Sequence, residues 1–365
     1  MPDDEESVIP KMFRTLTLLA LMRAASSQSC KTDVDCMLNG FCSGGECICV
    51  NPWYGPQCES LAYAMTPASG KVLFDSGASH NNTWGGPIMT APDGTFHLFS
   101  PLYKNGSLGG PTTTLHGVAS VITGPYDWNT YPNLPLPNIN PASVTFVDPA
   151  TNKTVYTLWS GGQVHVADSP ASEFVAVAGF TYPGVNPAPI FHNGAWFMTN
   201  QRTTTIYTTP RLEAGALWTV FANISHATLP ANLNVEDPFM WIDGNGNWHI
   251  IGHAYNNFEY KNCAQSALSS HFFSPDGVTW YFSLLPYNHT VVYDDGTEHM
   301  YITLERPFLH IDATGALKHL VLAADLITGD EGCGARTDRA RNGHTPCDDC
   351  KWDDLAGTTI ITFAG

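Results

Sequence analysis

A proline-anchored unit recurs five times along this chain of 365 residues. The units begin Gly86-Pro87-Ile88, Asn140-Pro141-Ala142, Asn186-Pro187-Ala188, Asp237-Pro238-Phe239 and Arg306-Pro307-Phe308. Each runs on into an apolar strand, a turn and a second strand. Successive prolines stand 54, 46, 51 and 69 residues apart. Self-similarity at roughly 40–50 residues marks propeller blades, each a four-stranded sheet. Asp93-Gly94, Asn193-Gly194, Asp243-Gly244 and Asp276-Gly277 supply the positive-φ residues that tight hairpins require. The expected fold is all-β, a five-bladed β-propeller over residues 61–365, with a β-sandwich as the alternative. The terminal strand, 358–363, should pair into the blade holding an early strand at 71–74, so that the ring closes without exposed edges.

Proline has no N–H, which suits the first residue of a strand. It also disfavours the helical region for the residue before it, so that residue is expected to be extended and held at the mouth of the channel. Every blade presents this position to one axis. Asn140, Asn186, Asp237 and Arg306 therefore converge, and only the fourth and fifth units carry an acid beside the proline: Glu236-Asp237-Pro238 and Glu305-Arg306-Pro307.

The formal net charge is −17. Nucleic-acid binding rests on clustered Lys and Arg that neutralise phosphates, so this balance argues against it. A strongly anionic polysaccharide would be repelled as well, and neutral glycans suit the surface better. Residues 1–27 read as a secretory signal peptide: Arg14, a short apolar run from Leu16 to Met22, then Ala24-Ala25-Ser26, with Met12 as an alternative start. No apolar run is long enough for a transmembrane helix. Five Asn-x-Ser/Thr sequons, at Asn81, Asn105, Asn152, Asn223 and Asn288, agree with export and an extracellular location.

Six of the ten cysteines fall between residues 30 and 58: Cys30, Cys36, Cys42, Cys47, Cys49 and Cys58. So short a segment cannot bury enough core to fold unaided, and disulfides must substitute. Cysteine count alone leaves every pairing open. The Cys47-x-Cys49 step and Trp53-Tyr54-Gly55-Pro56-Gln57-Cys58 resemble the second half of an EGF-like module, over residues 28–60. That resemblance implies the pairs Cys30–Cys42, Cys36–Cys47 and Cys49–Cys58. Serines and Gln28 stand where calcium-binding EGF modules carry acidic residues, so no calcium is expected there. Cys263, Cys333, Cys347 and Cys350 are expected to form structural disulfides of unassigned pairing.

The blade pattern is similar to that of the five-bladed propeller glycosidases, the arabinanase-like fold of glycoside hydrolase family 43. The segment Asp237-Pro238-Phe239 through Asp243-Gly244-Asn245-Gly246-Asn247-Trp248 resembles one family blade. Glu305-Arg306-Pro307 resembles the start of the next. The resemblance implies that Glu305 is the general acid and that Asp237 tunes its pKa and positions substrate. The family's base position is matched by Asn186, and asparagine cannot accept a proton at neutral pH. Glu236 is then the leading candidate for base or nucleophile, although alternation along an extended strand would turn only one of Glu236 and Asp237 to the axis. Further candidates for sugar contact are Trp84 as a stacking platform, His253, Arg202, Arg306, Asn140 and Asn186; His80 and His116 rank lower.

These residues suit a secreted glycoside hydrolase acting on a poly- or oligosaccharide. The alternative is a non-catalytic carbohydrate-binding or matrix-adhesion propeller with a protein partner on its EGF-like module. No cofactor is demanded, with room left for a structural calcium ion in the channel.

Overall fold

The computed structural model describes residues 29–64, 82–103, 113–134, 136, 140–224, 233–256, 268–287, 290–292, 298–326 and 357–363. The expected leader, the early strand at 71–74, Asn81, Asn105, Asn288, His80 and the four later cysteines lie outside them. Among the described residues no helix is long and apolar enough to cross a membrane.

Each proline unit becomes the innermost strand of a blade. Blade I contains Ile88–Thr90, Phe96–Tyr103 and Thr113–Ala119, with Asn82–Thr83 beside Phe96–Tyr103. Blade II runs Ala142–Asp148, Lys153–Ser160, Gln163–Ala167 and Val175–Ala176. Blade III runs Ala188–His192, Ala195–Thr199, Thr205–Thr209 and Thr219–Asn223. Blade IV runs Leu233–Ile242, Trp248–Asn256, Leu268–Ser274 and Tyr281–Leu284. Blade V contains Thr290–Val292, Glu298–Ile311, Leu317–Leu326 and Gly357–Phe363, and is completed by Tyr63–Ala64. The terminal strand thus pairs with the chain's early part at Thr362–Ala64 and Phe363–Tyr63. Three of the turn pairs behave as their sequence dictates, with positive φ at Gly94, Gly194 and Gly277; in the fourth turn Gly246, not Gly244, takes it.

The blades are held by apolar clusters at every junction, which is what closes a ring. Met89 and Phe99 meet Tyr156 and Leu158 between blades I and II. Trp159 meets Trp196 and Met198 between II and III. Ile206 and Ala222 meet Val235 and Ile250 between III and IV. Trp241 and Ile251 meet Leu304 and Leu320 between IV and V, and Val321 and Ile360 meet Leu98 and Ala119 between V and I. Each second strand is sandwiched between neighbouring blades, so it reads as a near-continuous apolar run rather than an alternating one.

The cysteine-rich module carries the disulfides Cys30–Cys42, Cys36–Cys47 and Cys49–Cys58, the pairing that the EGF-like resemblance implies. It is not an appendage on a string. Cys30, Cys36, Trp53, Cys58 and Leu61 share the apolar cluster of blades IV and V, and the Leu61 N–H donates to the Pro286 carbonyl at 2.7 Å.

Four of the five residues before the prolines depart from the expected extended conformation. φ is +135° at Gly86, +52° at Asn186, +53° at Asp237 and +52° at Arg306. The reason is a bulge. In blade IV the ladder steps from Glu236↔His253 to Phe239↔Ile251, leaving Asp237 and Pro238 opposite Gly252 alone. Blade V repeats it, from Glu305↔Ala323 to Phe308↔Val321. Proline has no N–H to offer a ladder, so a bulge is where it is tolerated.

Candidate active site

One side chain from every blade reaches the axis, those of blades IV and V at the bulges. Asp237 is buried there, at 6% exposure. Its Oδ1 accepts from Asn140 Nδ2 at 2.9 Å and from Asn186 Nδ2, and its Oδ2 accepts from Arg306 Nε at 3.1 Å. Arg306 Nη1 in turn donates to the Tyr103 hydroxyl at 3.2 Å. Blades II, III, IV and V supply their pre-proline side chains. Blade I cannot: a Cβ on Gly86 would stand 2.1 Å from the Phe99 carbonyl oxygen, so Tyr103 reaches in from its second strand instead. The cluster leaves a void of only about 10 Å³. Beyond it, on the Phe239 and Phe308 side, an axial channel of about 1020 Å³ is lined by Thr90, Val144, Ile190 and His310 among others.

On the other side of this plug stands a second tier. Glu236 and Glu305 occupy equivalent positions, each two residues before its proline. Their side chains are 21% and 19% exposed, against 4% for His253. His253 Nδ1 lies 3.7 Å from Glu236 Oε1 and 3.9 Å from Glu305 Oε1. The two carboxylate oxygens therefore lie within 7.6 Å of each other, the sum of those distances. Gln201 Nε2 donates to Glu236 Oε2 at 3.1 Å.

The two tiers differ electrostatically. Burial lifts the Asp237 carboxyl to about 6; Arg306 limits the rise and the charges of Glu236 and Glu305 add to it. Burial would also raise Glu236, but His253, the Gln201 amide and the Arg306 charge outweigh it and hold that carboxyl below its usual range. Arg306 is buried, yet Asp237, Tyr103 and Glu305 keep its value above the ordinary one. At neutral pH the axis thus carries a charged Asp237–Arg306 pair, and Glu236 is ionised.

Several expectations are corrected by this geometry. Glu236 and Asp237 do not point to opposite faces of a regular strand; the bulge lets both serve the axis at different heights. Asn140, Asn186 and Arg306, expected to contact sugar, direct their donors to Asp237. Trp84 is 2% exposed and packs with Tyr103 and Ala323, so its face is not available for stacking. Arg202 is exposed, one residue beyond Gln201. His116 is buried and bonded to His97 at 2.8 Å within blade I. The sequence reading missed Tyr103 and Gln201. Neither adjoins a proline unit, and no local signal marks them. Among the described residues, the one His/Cys/Asp/Glu group compact enough to hold an ion is Cys30, Cys36 and Cys47, whose sulfurs are all in disulfides. On the axis, the Arg306 guanidinium already neutralises the buried Asp237 carboxylate.

Solved structures share this architecture. An α-L-arabinofuranosidase from Podospora anserina, solved with cellotriose, matches with a TM-score of 0.51 at 8% identity, over 84% of this chain and 98% of that one. The catalytic domain of a GH62 α-L-arabinofuranosidase from Coprinopsis cinerea matches with a TM-score of 0.51 at 10% identity, over the same shares, 84% and 98%. The chain has the five-bladed propeller fold of these glycoside hydrolases. At such identities the likeness is one of fold. No protein-family model matches the sequence, and no curated protein does.

Proposed function

We propose that this protein is a secreted glycoside hydrolase acting on a neutral poly- or oligosaccharide, with Glu236 and Glu305 as its working pair. One observation carries the reading: two half-buried carboxylates from adjacent blades flank one histidine, with oxygens no more than 7.6 Å apart. Glycosidases place their two carboxyl groups about 5–5.5 Å apart when retaining and about 6.5–9.5 Å when inverting, and the bound admits either. Glu305 donates a proton to the departing glycosidic oxygen. Glu236, kept ionised by Gln201 and His253, either attacks the anomeric carbon or takes a proton from the attacking water. Asp237 acts at a distance, through the fixed axial ion pair, rather than as a sugar ligand. The three disulfides support an extracellular location, since such bonds persist in oxidising compartments. Residues 1–27 would be its leader and 28–60 its EGF-like module.

A second reading is favoured by Asn186. It stands where the resembling family carries a base, and its amide is committed to Asp237. A propeller so altered would bind a glycan without cleaving it. Screening the purified chain on a panel of neutral glycans for reducing-end release separates the two. The hydrolase reading expects release that drops by roughly 10²- to 10⁴-fold in Glu305→Gln and in Glu236→Gln. Binding without release, unchanged by either substitution, would leave the glycan-binding reading in its place.

A further inference from the structure

The contact between the module and the propeller contains a buried chain of ionisable groups that the proposed chemistry does not use. Trp53 of the module stacks on His271 of blade IV, with ring centroids 5.0 Å apart and planes at 24°. His271 lies nearly coplanar with His249, with ring centroids 5.3 Å apart and planes at 5°, and His249 stacks on Trp241 at 4.8 Å. The two histidines are joined edge to edge: His249 Nδ1 lies 3.0 Å from His271 Nε2. His249 Nε2 lies 3.4 Å from Asp243 Oδ2, at the blade IV hairpin. His249 and His271 are 1% and 0% exposed.

A single proton arrangement suits this chain. The Asp243 carboxylate accepts from His249 Nε2–H, and His249 Nδ1 accepts from His271 Nε2–H. That leaves His271 Nδ1 as a bare lone pair, with no hydrogen-bond partner among the described residues. A proton arriving there would place a cation in an apolar cluster with no anion beside it. Among the described residues, the titratable group acting on His271 is His249, with Asp243 behind it. Strand Leu233–Ile242 offers Trp241, Tyr281–Leu284 offers Ser283 across the ladder, and the module offers Trp53. Burial accordingly drives His271 well below the ordinary histidine value, with His249 adding to the fall.

We infer that the Asp243–His249–His271 chain is an acid-sensitive latch, which holds the N-terminal module on blade IV at neutral pH and releases it as the pH falls below about 6. Trp53 covers His271 only while the module is docked. Lifting the module exposes His271 to water, where its ordinary value of about 6.5 returns. The closed form cannot take the proton and the open form can, so acidification favours opening. For one histidine that titrates only when open, the opening equilibrium rises roughly 25-fold between pH 7 and pH 5.

Hydrogen–deuterium exchange of the full chain at pH 7, 6 and 5, corrected for the intrinsic pH dependence of exchange, reads this directly. Peptides around Trp53 and across 268–287 should lose protection about 25-fold by pH 5, while peptides across 142–223 in blades II and III hold theirs. His271→Phe, which keeps the stack but cannot titrate, should stay closed at pH 5. Should that variant not fold, His271→Gln retains a donor for His249 and serves the same comparison. Wild-type protection that persists at pH 5, parallel loss in blades II and III, or release in the variants equal to wild type would each overturn the latch. The wild-type profile is a sufficient test without either variant.

Discussion

Replacing Arg306 with methionine tests whether the axial cluster is the ion pair described. The stem of the side chain is kept and the charge removed. Asp237 retains its two amide donors on Oδ1 but loses the partner at 3.1 Å on Oδ2, and Tyr103 loses a donor at 3.2 Å. Removing one member of a buried pair costs about 3–5 kcal/mol when the other stays charged. Here the cost is capped, because Asp237 can protonate. Its folded value of about 6 already exceeds the ordinary value of 3.8, so the native state holds the extra proton between those two pH values. Wild-type Asp237 therefore costs stability as pH rises through that window, and the loss ends near pH 6. Without Arg306 the folded value climbs further, and the loss continues at roughly 1.4 kcal/mol per pH unit above 6. The unmet hydrogen bonds add about 1–2 kcal/mol at every pH. The expected destabilisation is thus about 3 kcal/mol at pH 7, shrinking to about 1–2 kcal/mol at pH 5. Urea unfolding followed by tryptophan fluorescence, at pH 5, 6, 7 and 8, gives the midpoints and slopes. The double variant Arg306→Met/Asp237→Asn should recover about 2 kcal/mol at pH 7, since asparagine still accepts from Asn140 and Asn186. A loss that is flat with pH, or a double variant at the sum of its singles, would refute the ion-pair account.

Three further outcomes follow from the same geometry. Gln201→Ala removes the amide donor on Glu236 Oε2, so the acidic limb of any glycan-release pH profile should move to higher pH; an unmoved limb would break the link between Gln201 and Glu236. Gly86→Ala puts a Cβ against the Phe99 carbonyl at 2.1 Å on a residue with φ +135°, and should cost several kcal/mol in urea unfolding; a loss under about 1 kcal/mol would mean that blade I can shift there. Cys49→Ser/Cys58→Ser opens a bridge whose Cys58 is packed in the cluster with Trp53 and Leu304, and should lower stability by about 2–5 kcal/mol; an unchanged denaturation midpoint would show that the module adds nothing to blades IV and V.

Much of the fold was legible because its signals are local. Asp93-Gly94, Asn193-Gly194 and Asp276-Gly277 set turns through their own backbone preferences, while in the Asp243 turn the positive φ falls on Gly246. The proline units mark the innermost strands, where an edge position or a bulge tolerates a residue without an N–H. The site was legible only in part. Asp237, Glu236 and Glu305 were visible as acids beside prolines, and the convergence of the pre-proline positions follows from blade repetition. The orientation of those residues was not, because strand alternation assumes a regular ladder and the proline imposes a bulge. Trp84 looked like a platform beside two glycines, and nothing local shows that blades I and V close over it.

The sequence by itself determined five proline-anchored strands, their turns and a six-cysteine module, each through chemistry that acts within a few residues. Only the tertiary structure decided what those strands do together. The partners of Asp237 lie 97, 51 and 69 residues away, and Arg306 finds Tyr103 at a separation of 203. Closing the ring brings them to one axis, where burial forces the carboxylate and the guanidinium to pair. That pairing plugs the axis at one height and leaves Glu236 and Glu305 beside His253, each about a fifth exposed.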